Sequence, residues 1–428
     1  MDRLYELLAQ WRSASALFFL TLLLAVSAMP AAWAGACSLD DRPGATLLLP
    51  YFEVDLDNPF GRTTLFSVNN AAAEPVLVNV VLWTDLGVPT LNFPIYLTGY
   101  DVQTVNLRDV FAGIVPRTAS ATEDPADRLS PRGLYSQDAG FPGCAGALPP
   151  GVPPAGFLEH LRASHTGRIS PITNACAGQS FNDRVARGYV TMDTVSRCGF
   201  LTPRDAGYFG AGGAATNQNV LWGDFFYADT AKAFVDGENL VRLKADPAAF
   251  GPGSRTFYGR YVGGSGADAR QPLPRLWAAR FASFGLSADD GTDLIVWRDS
   301  GQIAQPFPCG QRPPWYPLLP SSYQAFDEQE RALQAPTFPI LPPPPPPSDQ
   351  LPAEANRFTV GDERFPIPYK FGWIYLDLAI PTPTGLGIDP SQSWVGVVMK
   401  AQGRFSVGFG ATPLANGCPP PPVVPFFN

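Results

Sequence analysis

The chain of 428 residues holds only two histidines, His160 and His165, so any imidazole-based hydrolysis or zinc site must use one of them. They fall with Glu159 in a segment that reads as a helix from Pro154 to about Ser164. Pro154 suits a first helical turn, Phe157, Leu158 and Leu161 share a face, and Gly167 follows as a stop. A zincin helix places its histidines four apart with a glutamate between them. Here Glu159 precedes both and the spacing is five. No G-x-S-x-G elbow accompanies the histidines, since Gly263-Gly264-Ser265-Gly266 has the wrong register. The expectation is a solvated helix face, with no catalytic residue assigned.

The oxygen-rich stretch Asp55, Asp57 and Asn58, followed by Gly61, is the nearest approach to a metal site. A hard cation needs several oxygens on one turn, but the full loop spacing and the distal glutamate are missing. An ordinary Asx turn is expected, with no metal and no cofactor. Gly210-Ala211-Gly212-Gly213 has no helix behind it and so cradles no phosphate.

Aromatic residues offer a different chemistry. In Gly372–Leu378 (GWIYLDL), strand alternation puts Trp373, Tyr375 and Asp377 on one face and Ile374, Leu376 and Leu378 on the other. Tyr189, Thr191 and Asp193 repeat that polar-aromatic face in Gly188–Asp193 (GYVTMD). Such a face can stack a sugar ring or a partner protein, while packing between modules gives the same pattern and is the first expectation. As a binding face its residues are Tyr189, Trp373, Tyr375 and Asp377, and the partner is an unidentified protein or carbohydrate.

These faces need strands to carry them. From Gly44 to Phe111, short apolar runs are cut by Asp57-Asn58-Pro59, Asn69-Asn70, Glu74-Pro75 and Thr98-Gly99, and Val76–Trp83 (VLVNVVLW) has the composition of a central, doubly covered strand. Strand signals resume at Gly188–Asp193, Asn219–Tyr227 and Asn239–Ala245. A second series comprises Arg275–Phe281, Thr292–Asp299, Gly372–Leu378, Ser393–Met399 and Arg404–Gly410. The reading is all-β: two tandem β-sandwich modules, Ig-like in the broad sense, with long loop insertions. Residues 37–250 form the first module, with an insertion at about 116–181. Residues 251–418 form the second, with a proline-rich insertion at about 306–352, and 419–428 is a proline-rich tail. Val80–Asp85 (VVLWTD) against Leu294–Asp299 (LIVWRD), and GYVTMD against GWIYLD, suggest internal duplication. On that reading Trp83 and Trp297 occupy equivalent, buried positions.

Residues 1–36 read as a signal peptide: Arg3 and Arg12, an apolar run Ala16–Met29 and the small-x-small box Ala32-Trp33-Ala34. The run is shorter than the roughly 20 residues a bilayer span needs, so no integral membrane segment is expected in the mature chain. All six cysteines follow it, as suits disulfides in an oxidising compartment. Cys144 with Cys176 is the expected pair, stapling the insertion, and Cys37 with Cys418 a second. Ala34-Gly35-Ala36-Cys37 resembles a bacterial lipoprotein box, but alanine at its first position departs from it, so lipidation is the lesser expectation. The chain has no Asn-x-Ser/Thr sequon, which fits a bacterial source.

A net charge of −8 with no basic cluster disfavours nucleic acid. The functional expectation is an exported, non-enzymatic protein, secreted, on the cell surface or periplasmic, with a structural or binding role. A secreted hydrolase acting on polysaccharide or peptide is the alternative.

Overall fold

The computed structural model describes residues 42–116, 118, 141, 143–144, 147–148, 150–283, 291–318, 322–333, 351–362, 366–380, 391–400 and 406–414. The chain divides into Met1–Ser38 and Leu39–Asn428, and every described residue lies in the second unit. The signal segment, Cys37, Cys418, the run Pro342–Pro347 and the tail therefore lie outside the described residues.

The first half supplies β1 (Thr46–Asp55), β2 (Arg62–Asn70), β3 (Val76–Thr84), β4 (Pro89–Leu97), β5 (Val102–Asn106), helices α1 (Leu107–Ala112) and α2 (Ala155–His165), then β6 (Val185–Val195), β7 (Leu221–Trp222), β8 (Asp224–Asp229), β9 (Phe234–Asn239) and β10 (Val241–Leu243). A short helix α3 (Gly259–Val262) leads to β11 (Leu276–Ala282), β12 (Gly291–Arg298), β13 (Ser322–Asp327), β14 (Ala355–Thr359), β15 (Phe371–Asp377), β16 (Ser393–Lys400), β17 (Ser406–Gly410) and β18 (Thr412–Pro413). The protein is thus mostly β. Among the described residues four sheets result: I, in the order β10-β1-β6-β3-β4; II, β5-β2-β8-β9 with β7 beside β2; III, β13-β15-β11-β18; and IV, β14-β12-β16-β17. Their ladders are antiparallel.

All nine residues of β3 are buried, as a β-branched run between β4 and β6 with both faces covered requires. In β1 the register shifts between Leu49 and Phe52, where Pro50 cannot donate to a ladder. One apolar core extends from Leu47 and Val80 of sheet I through Phe66 of sheet II to Leu294, Ile374 and Val397 of sheets IV and III. Trp83 and Trp297 are each 1 % exposed. Tyr189 lies between them, stacked on Trp83 (centroids 5.8 Å, 5° apart) and edge-on to Trp297 (5.8 Å, 75°).

Several expectations need correction. The hexamers GYVTMD and GWIYLD do not take matching places. The first lies in β6, hydrogen-bonded to the Trp83 strand, whereas the second lies in β15 of sheet III, away from the Trp297 strand. A shared alternation makes both fit to be strands and says nothing about neighbours. The helix expected from Pro154 to about Ser164 is α2, but it buries Leu161 and His165 in the core, and β13 sits within the stretch expected as a proline-rich loop.

Cys144 and Cys176 do not pair with each other. Cys144 joins Cys198, and Cys176 joins Cys309, each with Cα atoms 5.0 Å apart. Reciprocal backbone bonds between Cys176 and Phe307, both 2.9 Å, bring the 301–318 loop alongside Cys176. Loop-closure reasoning favours cysteines near in sequence, but proximity in space decides the bond.

Candidate binding face

Sheet III carries the exposed aromatic chemistry. Along β15, Ile374 and Leu376 point into the core, while Trp373 (42 % exposed) and Tyr375 (37 %) face solvent, with Asp377 half-buried beside them. Leu378 is buried just beyond the strand. On β11, Trp277, Ala279 and Phe281 are buried, and Arg280 is exposed. Register then aligns side chains in rows across three strands: Phe326–Trp373–Arg280, and Gln324–Tyr375–Ala278. Strand spacing of about 4.8 Å puts each row within about 10 Å, with the two rows roughly 7 Å apart. Gly372 permits this packing, because a Cβ there would lie 1.8 Å from the Phe326 carbonyl oxygen.

The Arg280 guanidinium lies over the Trp373 ring, 4.6 Å from its centroid. At the end of the face Arg275 Nε is 3.9 Å from Asp377 Oδ1, which also accepts from the Ala379 amide. Phe371, 46 % exposed, extends the face at the other end.

Tyr189 does not belong to this face. The side of β6 that presents Tyr189, Thr191 and Asp193 is covered by the 198–270 segment and has become a polar core. The Tyr189 hydroxyl donates to Glu354 Oε2 (2.9 Å) and accepts from Arg260 Nη2 (3.0 Å). Arg260 also pairs with Glu354 Oε1 and, at 3.2 Å, with Asp299. Burial raises the Asp299 carboxyl against the pull of Arg260. Gly87, with φ +78°, is required beside this cluster, since a Cβ would sit 2.4 Å from Glu354 Oε2. Asp193 accepts from the Tyr208 and Tyr258 hydroxyls (2.7 and 2.9 Å) and faces Arg270. Glu53 is a third such centre. Burial alone would raise its carboxyl, yet Arg357, Arg62 and Arg187 hold it down to about 2.

The histidines are engaged in packing rather than presented on a solvated face. His165 Nδ1 donates to the Arg187 carbonyl (2.8 Å), leaving Nε2 to accept from the Thr90 hydroxyl (2.7 Å), and burial lowers its pKa to about 4. His160 Nδ1 lies 2.6 Å from Ser170 Oγ, a serine–histidine contact. That hydroxyl is buried and accepts from the amides of Ile172 and Thr173, so it anchors a turn instead of facing a substrate. Asp55 Oδ1 accepts from the amides of Asp57 and Asn58, an Asx turn, and Asp57 pairs with Arg184. Among the described residues no cluster of three or more His, Cys, Asp or Glu side chains could hold a metal ion.

An open groove of about 770 Å³ runs beside the edge strand β4, lined by Phe93, Phe157, Phe200, Arg204 and Asp205 among others. Pro89 and Pro94 on that edge withhold backbone donors, a device that discourages strand addition.

Sequence reasoning put Trp373, Tyr375 and Asp377 on one strand face and gave no account of Arg280, Gln324 and Phe326 beside them. Alternation with Trp277 and Phe281 puts Arg280 on the outer face of β11, a signal present in the sequence. That β15 would lie between β11 and β13 had no local signal. Fold and site together define an antiparallel β-protein with an exposed aromatic-arginine face. No family model, curated protein or solved structure matches the chain.

Proposed function

We propose that this is an exported, non-enzymatic protein that binds a carbohydrate or protein partner, at the cell surface or in the periplasm, through the outer face of sheet III. The observation that carries the reading is the pair of rows centred on Trp373 and Tyr375, aromatic rings held in solvent on a strand whose other face is core. Two disulfides suit an oxidising compartment.

The organisation behind it is two β-modules, residues 37–250 and 251–418. In support, β1 to β10 form ladders only among themselves in sheets I and II, and β11 to β18 only among themselves in sheets III and IV. Asp85 and Asp299 also echo each other. Each follows its tryptophan strand, and each accepts a glutamine amide, from Gln179 (2.9 Å) and Gln392 (2.7 Å).

Screening the purified chain on an array of glycans, with Trp373→Ala and Tyr375→Ala alongside, tests the binding reading. Retained ligands that both variants lose support it, and ligands that neither variant affects remove sheet III from the account. Product analysis of the bound glycans distinguishes binding from the competing hydrolase reading. N-terminal sequencing of chain recovered from a bacterial periplasm tests export, with a start just after Ala34 expected.

A further inference from the structure

We propose that the Arg280–Trp373 stack is a subsite for a carboxylate-bearing sugar, so that sheet III binds a linear acidic glycan of the uronic-acid type. This rests on sheet III being the binding face. Arg280 is exposed and its guanidinium makes no hydrogen bond or ion pair with any described residue, whereas Arg187, Arg260, Arg270 and Arg357 are all paired to carboxylates. An arginine stacked flat on an indole loses little further freedom on binding, and it still presents the edge of its guanidinium for two parallel bonds to a carboxylate. In a chain with 38 acidic and 30 basic side chains, a pre-positioned cation without a partner among the described residues selects an anion.

The neighbouring row supplies the sugar-ring contact. Tyr375 is exposed, and its hydroxyl makes no hydrogen bond with a described residue. Its cross-strand neighbour Ala278 is small, which leaves the tyrosine ring open from that side. Gln324 on the other flank, whose Nε2 donates to the Leu333 carbonyl (3.0 Å), offers its Oε1, and the Asp377–Arg275 pair at the end of the strand offers further hydrogen bonds to hydroxyl groups. Trp373 and Tyr375 stand roughly 7 Å apart along the strand, so consecutive rings of an extended chain can engage one row each.

An acidic peptide fits less well. β15 is hydrogen-bonded on both sides, by β11 and β13, and offers no free backbone edge to which a peptide strand could add. Recognition here must come from side chains alone, which suits stacked rings.

The test is calorimetric titration of the full chain with polygalacturonate oligosaccharides and with the same oligosaccharides after reduction of their carboxyl groups. Binding of the acidic form, weakened by salt, with a loss of about tenfold or more on carboxyl reduction and on Arg280→Gln, is the expected result. Trp373→Ala should abolish binding, with Trp373→Phe retaining part of it. Arg280 is exposed, and an unchanged unfolding midpoint for Arg280→Gln will show that the fold is intact. Equal binding of acidic and reduced oligosaccharides, indifferent to Arg280 yet lost in Trp373→Ala, overturns the acidic subsite and leaves the binding face standing. If polyglutamate binds with Arg280 dependence and the oligosaccharides do not, the sugar assignment is wrong. Concentration-dependent self-association that Trp373→Ala removes, without oligosaccharide binding, overturns it in favour of a second copy. No binding of either oligosaccharide by the wild-type chain also overturns it.

Discussion

Replacing Arg260 by alanine isolates the energetics of the buried cluster that joins sheet I to the second half. Arg260 is 5 % exposed at its side chain and is the cation between Glu354 and Asp299, both almost wholly inaccessible. Its loss leaves two carboxylates facing each other and withdraws a donor from the Tyr189 hydroxyl. Breaking a buried pair by removing one partner costs about 3–5 kcal/mol. The penalty is capped by protonation, and Asp299, whose carboxyl burial already raises, is the group that takes the proton. The folded variant then holds a proton that the unfolded chain has released, so its deficit relative to wild type shrinks as pH falls. A loss of about 3–5 kcal/mol near pH 7.5 should be smaller near pH 5.5. Urea unfolding followed by tryptophan fluorescence, for wild type and Arg260→Ala at both pH values, measures this directly. Adding Glu354→Gln removes one of the opposed charges while keeping one carbonyl oxygen to accept from Ser300, and should recover about 2 kcal/mol. A loss below about 1 kcal/mol, or one independent of pH, refutes the reasoning.

Non-reducing peptide mapping should recover Cys144 with Cys198 and Cys176 with Cys309; a Cys144–Cys176 peptide would contradict the fold around α2. Trp83 Nε1 donates to Thr191 (2.9 Å), whereas Trp297 Nε1 has no hydrogen-bond partner among the described residues, so Trp83→Phe should destabilise more than Trp297→Phe by about 1 kcal/mol in denaturant titration. His165 and Asp85 should oppose each other in acid. Burial lowers His165 to about 4 from 6.5, so stability is lost as pH falls through that window. Burial raises Asp85 to about 6 from 3.8, so stability is gained as pH falls through its own. Asp85→Asn removes the gain, and between about pH 7 and 4 it should lose roughly 3 kcal/mol more than wild type; equal pH profiles would refute the assignment.

Alternation and β-branching made the strands legible. Val76–Trp83, Thr292–Asp299 and Gly372–Leu378 were readable as strands because their side chains suit a pleated, covered surface whatever lies next to them. The same local chemistry separated the Trp373–Tyr375 face from the Ile374–Leu376 face. Short elements with little periodicity escaped notice: α1, capped by the Asn106 side chain, β13 inside the proline-rich stretch and β14 just after it.

What alternation cannot specify is which of two faces is covered, and by what. Tyr189-x-Thr191-x-Asp193 and Trp373-x-Tyr375-x-Asp377 carry the same pattern. One is sealed under Tyr208, Tyr258 and Arg260 as a polar core, and the other is open to solvent beside Arg280. The difference comes from where the long connections between β6 and β7 and between β10 and β11 run, a choice made by burial of distant aromatic and charged groups together. The disulfides follow the same logic, because a cysteine bonds whichever partner the assembled core brings within reach. Sequence by itself determined the strands and their two faces. Tertiary structure alone decided that Tyr189 is core, that Trp373 is surface, and that Arg280 lies across it.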